Sequence, residues 1–113
     1  MKIAFTAKGP EWASEMDARF GRADYLLVYD TETKNLQPVD NRQRAQQGHG
    51  VGPLAAQKLF EHKADVLITG NGPGDNAAQV LAKAGTIIYT GAAQMDVAAA
   101  LEAFQQNKLK KFQ

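Results

Sequence analysis

The chain has 113 residues, 44% of them hydrophobic and 22% charged, and its 13 basic and 12 acidic side chains leave a formal net charge of +1. That length and composition suit one soluble domain over residues 1–113, and the near-neutral balance lacks the basic face that nucleic-acid binding calls for. There is no cysteine, which excludes a disulfide framework and a cysteine-ligated zinc site; a metal centre would have to use imidazole, carboxylate, backbone or sulfur brought by the ligand.

Lys2 to Ala7 (KIAFTA) is short, apolar and partly β-branched, which predicts a strand. Lys8 to Arg22 (KGPEWASEMDARFGR) has no sustained periodicity and reads as a long loop, and loops of that length in compact domains are often functional. Tyr25 to Tyr29 (YLLVY) is a buried strand, Asp30 to Asn35 a polar turn, and Leu36 to Val39 (LQPV) a third strand that Pro38 assigns to a sheet edge. Asp40 to Gly50 (DNRQRAQQGHG) is polar and reads as a loop. Pro53 to His62 carries Leu54, Ala55, Leu59 and Phe60 at helical spacing, with Pro53 in the first turn, where its missing N–H costs nothing.

Val66 to Thr69 (VLIT) reads as a buried strand and Gly70 to Asp75 (GNGPGD) as a tight loop. A helix over Asn76 to Lys83 turns Ala77, Val80 and Leu81 inward and ends at Gly85. Thr86 to Tyr89 (TIIY) is the last predicted strand, and Met95 to Phe104 an Ala-rich helix with Val97, Leu101 and Phe104 on one face. Lys108, Lys110 and Lys111 form a basic cluster, read as a solvated tail. The order β-β-β-α-β-α-β-α predicts an α/β fold: a three-layer α/β/α arrangement around a five-stranded mixed sheet of order 3-2-1-4-5, with strand 2 antiparallel, a ribonuclease-H-like topology. The N-terminal MKIAFTAKGPEW does not read as a signal peptide, and no apolar run approaches a membrane span. A cytoplasmic protein with no membrane association is expected.

Three glycine-bearing segments fall where such a fold binds ligands, at the C-terminal edge of the sheet. TGNGPGDNA (Thr69 to Ala77) follows a strand and opens a helix. Its backbone N–H groups suit a phosphate or carboxylate; equally, it reads as a turn with Asp75 or Asn76 as N-cap. It is neither a P-loop nor a dinucleotide fingerprint. ARFGRADY (Ala18 to Tyr25) flanks Gly21 with Arg19 and Arg22, an anion clamp or a turn with solvated arginines. GHGVGP (Gly48 to Pro53) holds His49, whose imidazole is a possible metal ligand. His62, about a dozen helical positions on at ~1.5 Å each, is too distant to share a metal with it. A two-metal nuclease needs a carboxylate on the first strand, and KIAFTA has none.

RFGRADYLLVYD, the GHGVG before the first long helix, ADVLITGNGPGDNAAQVLAKAGTIIYTG and ALEAFQQNKL together resemble the dinitrogenase iron–molybdenum cofactor biosynthesis family, the NifX-like nitrogenase accessory proteins and their stand-alone relatives. The resemblance spans nearly the whole chain. It implies a ribonuclease-H-like fold and a small non-enzymatic carrier for an iron–sulfur or iron–molybdenum-type cofactor precursor, with that metal cluster as cargo and cofactor-assembly proteins as partners. On this resemblance Arg19, Phe20, Gly21 and Arg22 match an FGR-type loop. His49 and Gly50 fall in the glycine-rich loop, with His49 the sole candidate metal ligand. Gly70, Asn71, Gly72 and Gly74 match the loop after the fourth strand. Many relatives carry a histidine directly before Phe-Gly, where this chain has Arg19.

Two other functions fit the same residues. One is a small-molecule enzyme or sensor that takes a phosphate-bearing ligand on Gly70 to Asp75. The other is a protein–protein interaction module anchored by Trp12 in the Glu11 to Met16 stretch.

Overall fold

The computed structural model describes residues 1–46, 48 and 50–112. One sheet runs in the order β3-β2-β1-β4-β5-β6, built from β1 (Lys2–Ala7), β2 (Tyr25–Asp30), β3 (Asn35–Asp40), β4 (Val66–Ile68), β5 (Ile87–Thr90) and β6 (Lys110–Phe112). The helices among the described residues are α1 (Arg42–Ala45), α2 (Val51–Glu61), α3 (Asp75–Lys83) and α4 (Val97–Gln105).

The first five strands take the expected order, with β2 antiparallel to both neighbours and β1, β4 and β5 parallel. Local chemistry explains the hairpin. Asp30 Oδ1 accepts from the backbone N–H groups of Glu32 (2.9 Å) and Thr33 (3.4 Å), which closes the turn between β2 and β3. The parallel strands need long crossovers, and α2 and α3 supply them.

Two expectations are corrected. The sheet has six strands, not five: Lys110–Phe112 pairs antiparallel with β5, placing Phe112 opposite Ile88. Exposed lysines suit an unprotected edge, so Lys110 and Lys111, which read as part of a solvated tail, belong to an edge strand. The Asp40 to Gly50 segment also contains α1, a helix too short to show any periodicity.

Strand alternation divides the core between the two faces of the sheet. Ala4, Leu26, Val28, Leu67 and Ile88 face Ala55, Ala56 and Leu59 of α2 and Ala77 and Leu81 of α3. Ile3, Phe5, Leu27, Tyr29, Val66 and Ile68 face Val97 and Ala100 of α4. Both faces are covered, which is why β1, β2 and β4 read as unbroken apolar runs. Among the described residues no helix is long and apolar enough to cross a membrane.

Trp12 belongs to the second core. Its ring packs edge-on against Phe5 (centroids 6.2 Å apart) and Tyr29 (5.0 Å). The long loop is also bonded to the start of α4, with Ala98 N donating to Trp12 O (3.0 Å) and Val97 N to Ser14 O (2.9 Å). Trp12 thus cements loop, sheet and helix. Trp12→Ala is expected to cost about 2–3 kcal/mol, below the ~3–5 kcal/mol of a fully buried aromatic because the ring is only half-buried. Urea denaturation measures this; an unchanged midpoint would contradict a packing role.

Candidate functional site

β1, β3 and β4 run the same way, so the segments that follow them leave at one edge. There the backbone packs closer than side chains allow. A Cβ on Gly21 would lie 2.6 Å from Gly52 N, and one on Gly70 2.6 Å from Ala18 Cα. A Cβ on Gly72 would run into the Phe112 ring. Hydrogen bonds fix these approaches. Asn71 N donates to Ala18 O (2.8 Å) and Gly91 N to Gly70 O (3.0 Å). The fully buried Asn41 side chain donates from Nδ2 to Gly21 O (3.1 Å) and Ala23 O (2.8 Å), tying the end of β3 to the first loop.

A cleft of about 320 Å³ opens between these segments, within the size range of small-ligand sites. It is lined by Phe20 and Gly21, by Gly50 to Pro53 at the start of α2, and by Gly72 to Ala77 at the start of α3. The N-caps are Gly50, with φ 76°, and Gly74; neither helix has a side-chain cap among the described residues. This corrects the expectation that Asp75 or Asn76 caps α3: both lie inside its first turn. The amides of Val51, Gly52, Asp75, Asn76 and Ala77 are therefore donors that the helical ladder leaves over. Small residues let the two helix starts approach, with a Cβ on Gly52 only 3.2 Å from Ala77 Cβ. Two positive dipole ends meet at the cleft. The one charged side chain lining it, among the described residues, is the exposed Asp75.

The arginines lie elsewhere. Arg19 donates from Nε (3.1 Å) and Nη2 (3.0 Å) to the two oxygens of Asp17, whose carboxylate is buried. Burial raises the Asp17 pKa, but the side-chain and backbone hydrogen bonds from Arg19, with the charges of Arg19 and Lys8, outweigh it and hold the carboxyl below its ordinary 3.8. Arg22 donates from Nη1 to Ala45 O (2.7 Å) and from Nη2 to Gly48 O (3.3 Å), fastening the first loop to the segment before α2. A larger hollow of about 540 Å³ lies against α1. Its arginines are spent locally: Arg42 on Asp40 (2.7 Å) and over the Tyr25 ring (5.4 Å), Arg44 on Asn41 Oδ1 (2.9 Å).

Of the residues singled out from sequence, the structure brings Phe20, Gly21, Gly50, Gly72 and Gly74 to the cleft wall. Gly70 and Asn71 fasten the loop behind it, and Arg19 and Arg22 hold its supports. His49 lies outside the described residues. The Thr69 to Ala77 segment singled out from sequence as an anion-binding helix start supplies Pro73 and the first turn of α3 to the wall, whereas Val51, Gly52 and Pro53 were missed; the signal available was a helix start in GHGVGP with no Ser, Thr, Asp or Asn before it. Among the described residues no three His, Cys, Asp or Glu side chains gather into a metal-ion site.

The sequence profile of the family described as "Dinitrogenase iron-molybdenum cofactor" matches residues 1–107. Among solved structures, the apo form of the orange protein from Desulfovibrio gigas is 35% identical, with a TM-score of 0.92 over 98% of this chain and 92% of that one. An NMR structure from Thermotoga, of a DUF35-family protein provisionally assigned as NifB, is 33% identical, with a TM-score of 0.84 over 97% of this chain and 91% of that one. No curated protein matches the chain.

The Asp17–Arg19 pair makes an acid-side prediction. A carboxyl whose pKa is lower folded than unfolded stabilises fully above its unfolded value and loses that contribution as pH falls through the folded one. Asp17→Asn is therefore expected to lose stability at neutral pH, with the gap to wild type narrowing below about pH 4. Urea denaturation across the acid range reads the gap; the same gap at both ends would contradict the assignment.

Proposed function

The chain belongs to the dinitrogenase iron–molybdenum cofactor family, and on that premise we propose that it is a non-enzymatic carrier holding an anionic iron–sulfur or iron–molybdenum-type cofactor precursor in the glycine-walled cleft. The observation that carries this reading is the meeting of two helix starts with no side-chain cap across one cleft. Such starts offer amide donors and positive potential without a lysine or arginine. A metal–sulfide cluster is an anion whose surface sulfides accept N–H hydrogen bonds. It supplies its own sulfur, which suits a chain with no cysteine.

In this reading His49 is the one protein ligand to a metal of the cargo. Its flanking Gly48 is held by Arg22 (3.3 Å to the carbonyl), and Gly50 lies in the cleft wall. Arg22 therefore acts by placing the loop, and Arg19 by neutralising Asp17 beneath it. A wall whose one titratable side chain is Asp75, among the described residues, favours holding over transforming. Cofactor-assembly proteins would load and unload the cargo. The relative solved in its apo form supports a ligand that comes and goes. The same amides would also take a phosphate-bearing small molecule, which is the second reading.

Anaerobic titration with a synthetic thiolate-ligated iron–sulfide cluster and with tetrathiomolybdate, followed by gel filtration, absorption and metal analysis, separates the two. The expected result is stoichiometric coloured protein. His49→Ala should weaken binding of the iron cluster by roughly tenfold or more, since even the loss of an outer-shell partner of a metal ligand costs about 10–100-fold in affinity. Asp75→Asn should tighten binding of both anions about two- to fivefold, because it removes a like charge from a helix start. Colourless protein with either probe, together with a thermal midpoint raised by sugar phosphates or nucleotides, would replace the carrier reading with the second.

A further inference from the structure

The C-terminal strand reaches the cleft by a route that the carrier reading does not use. β6 hangs on the sheet edge by pairing with β5 alone, and it lies beyond residues 1–107 that the family profile matches. Its Phe112 is half-buried against the core shared by α2 and α3. The ring occupies the space that a side chain on residue 72 would need. Gly72 is a wall residue of the cleft, and two positions on, Gly74 caps α3. The loop is hydrogen-bonded at its start, through Asn71 N and Gly70 O, and becomes helix at its end. Gly72 and Pro73 lie between those anchors, and the Phe112 ring packs directly on Gly72.

We propose that β6 is a latch on the cleft and that Phe112 is a positioning residue for the binding amides of α3. With the ring seated, Gly72 to Gly74 hold one path, and the amides of Asp75, Asn76 and Ala77 point together. With β6 detached, the middle of the loop loses its backing and those donors lose their common aim. The coupling is reciprocal: cargo in the cleft stabilises the seated strand, and release of the strand weakens the cargo's hold. A strand of three residues with one partner is at the low-stability end of a fold, which suits a device that opens. This inference rests on the carrier reading for its ligand but not for its geometry.

The test compares Phe112→Ala, Phe112→Leu and Phe104→Ala in the full chain. Phe104 packs edge-on against Tyr89 at 5.0 Å on the opposite face of the sheet, so its loss removes a comparable aromatic contact without touching the cleft. Two readouts are taken well below the unfolding midpoint: affinity for tetrathiomolybdate, and hydrogen exchange of bonded amides, those of Ala78 to Val80, which close the first turn of α3 beginning with Ala78 N to Gly74 O (2.9 Å), and those of Lys110 to Phe112. Phe112→Ala is expected to bind about tenfold more weakly and to exchange faster at residues 78–80. Phe112→Leu should recover part of both, and Phe104→Ala should match wild type in both. Bound tetrathiomolybdate should slow exchange at residues 110–112 in the wild type. Phe112→Ala with wild-type exchange at residues 78–80, or a Phe104→Ala effect of equal size, would overturn the latch. If the wild type binds neither this anion nor the iron–sulfide cluster, the carrier reading falls, and exchange at residues 78–80 alone decides the latch.

Discussion

The cleft exists because three glycines let backbone meet backbone or ring at the C-terminal edge of the sheet. Gly21 lies on the first turn of α2, Gly70 on Ala18, and Gly72 under Phe112. Each approach is shorter than a Cβ permits, so none survives substitution without movement of a main chain or an aromatic ring. Together they pull the ends of three loops into contact and set the starts of α2 and α3 side by side. Nothing in helix formation itself brings two positive dipole ends together; their mutual repulsion is held by the packing of Gly52 against Ala77 and by the core that α2 and α3 share against one face of the sheet.

That constraint determines what the cleft can recognise. Its donors are peptide N–H groups on rigid helix starts, and its one charged wall residue among the described ones is an acid. The nearby cations are committed to structure: Arg19 to the buried Asp17, Arg22 to two carbonyls, Arg42 to Asp40. Asp40, held at about 2 by hydrogen bonds and charge from Arg42, keeps that last pair intact across ordinary pH. Recognition by amides favours a diffuse, polarisable anion with several acceptor atoms. A cluster that brings its own sulfide fits that description, and the absence of cysteine from the chain is then no obstacle.

Much of this was legible in the sequence, for physical reasons that differ from element to element. The runs KIAFTA and YLLVY announced strands because both sheet faces are covered, and Asp30 announced the turn between β2 and β3 because its carboxylate is made for that bond. Gly85, at φ 81°, marked the end of α3 because few other residues adopt that angle cheaply. β6 was hidden because edge strands use lysine, and lysine also reads as solvated tail. α1 was hidden because one turn of helix has no period. At the site, glycines were visible as flexible points but not as contacts: which backbone Gly21 or Gly72 touches depends on chain far away. The arginines misled in the opposite sense, since charge beside a glycine suggests a clamp and only the fold shows Asp17 waiting for Arg19.

The central claim is that the amides of the two helix starts hold the anionic cargo. Amide chemical shifts of isotopically labelled protein, followed by NMR during anaerobic titration with tetrathiomolybdate, address it residue by residue. The account predicts that the largest shifts fall together on Val51, Gly52, Asp75, Asn76 and Ala77 and saturate at one equivalent. Saturating shifts centred instead on the arginines of α1, with the helix starts unmoved, would contradict it.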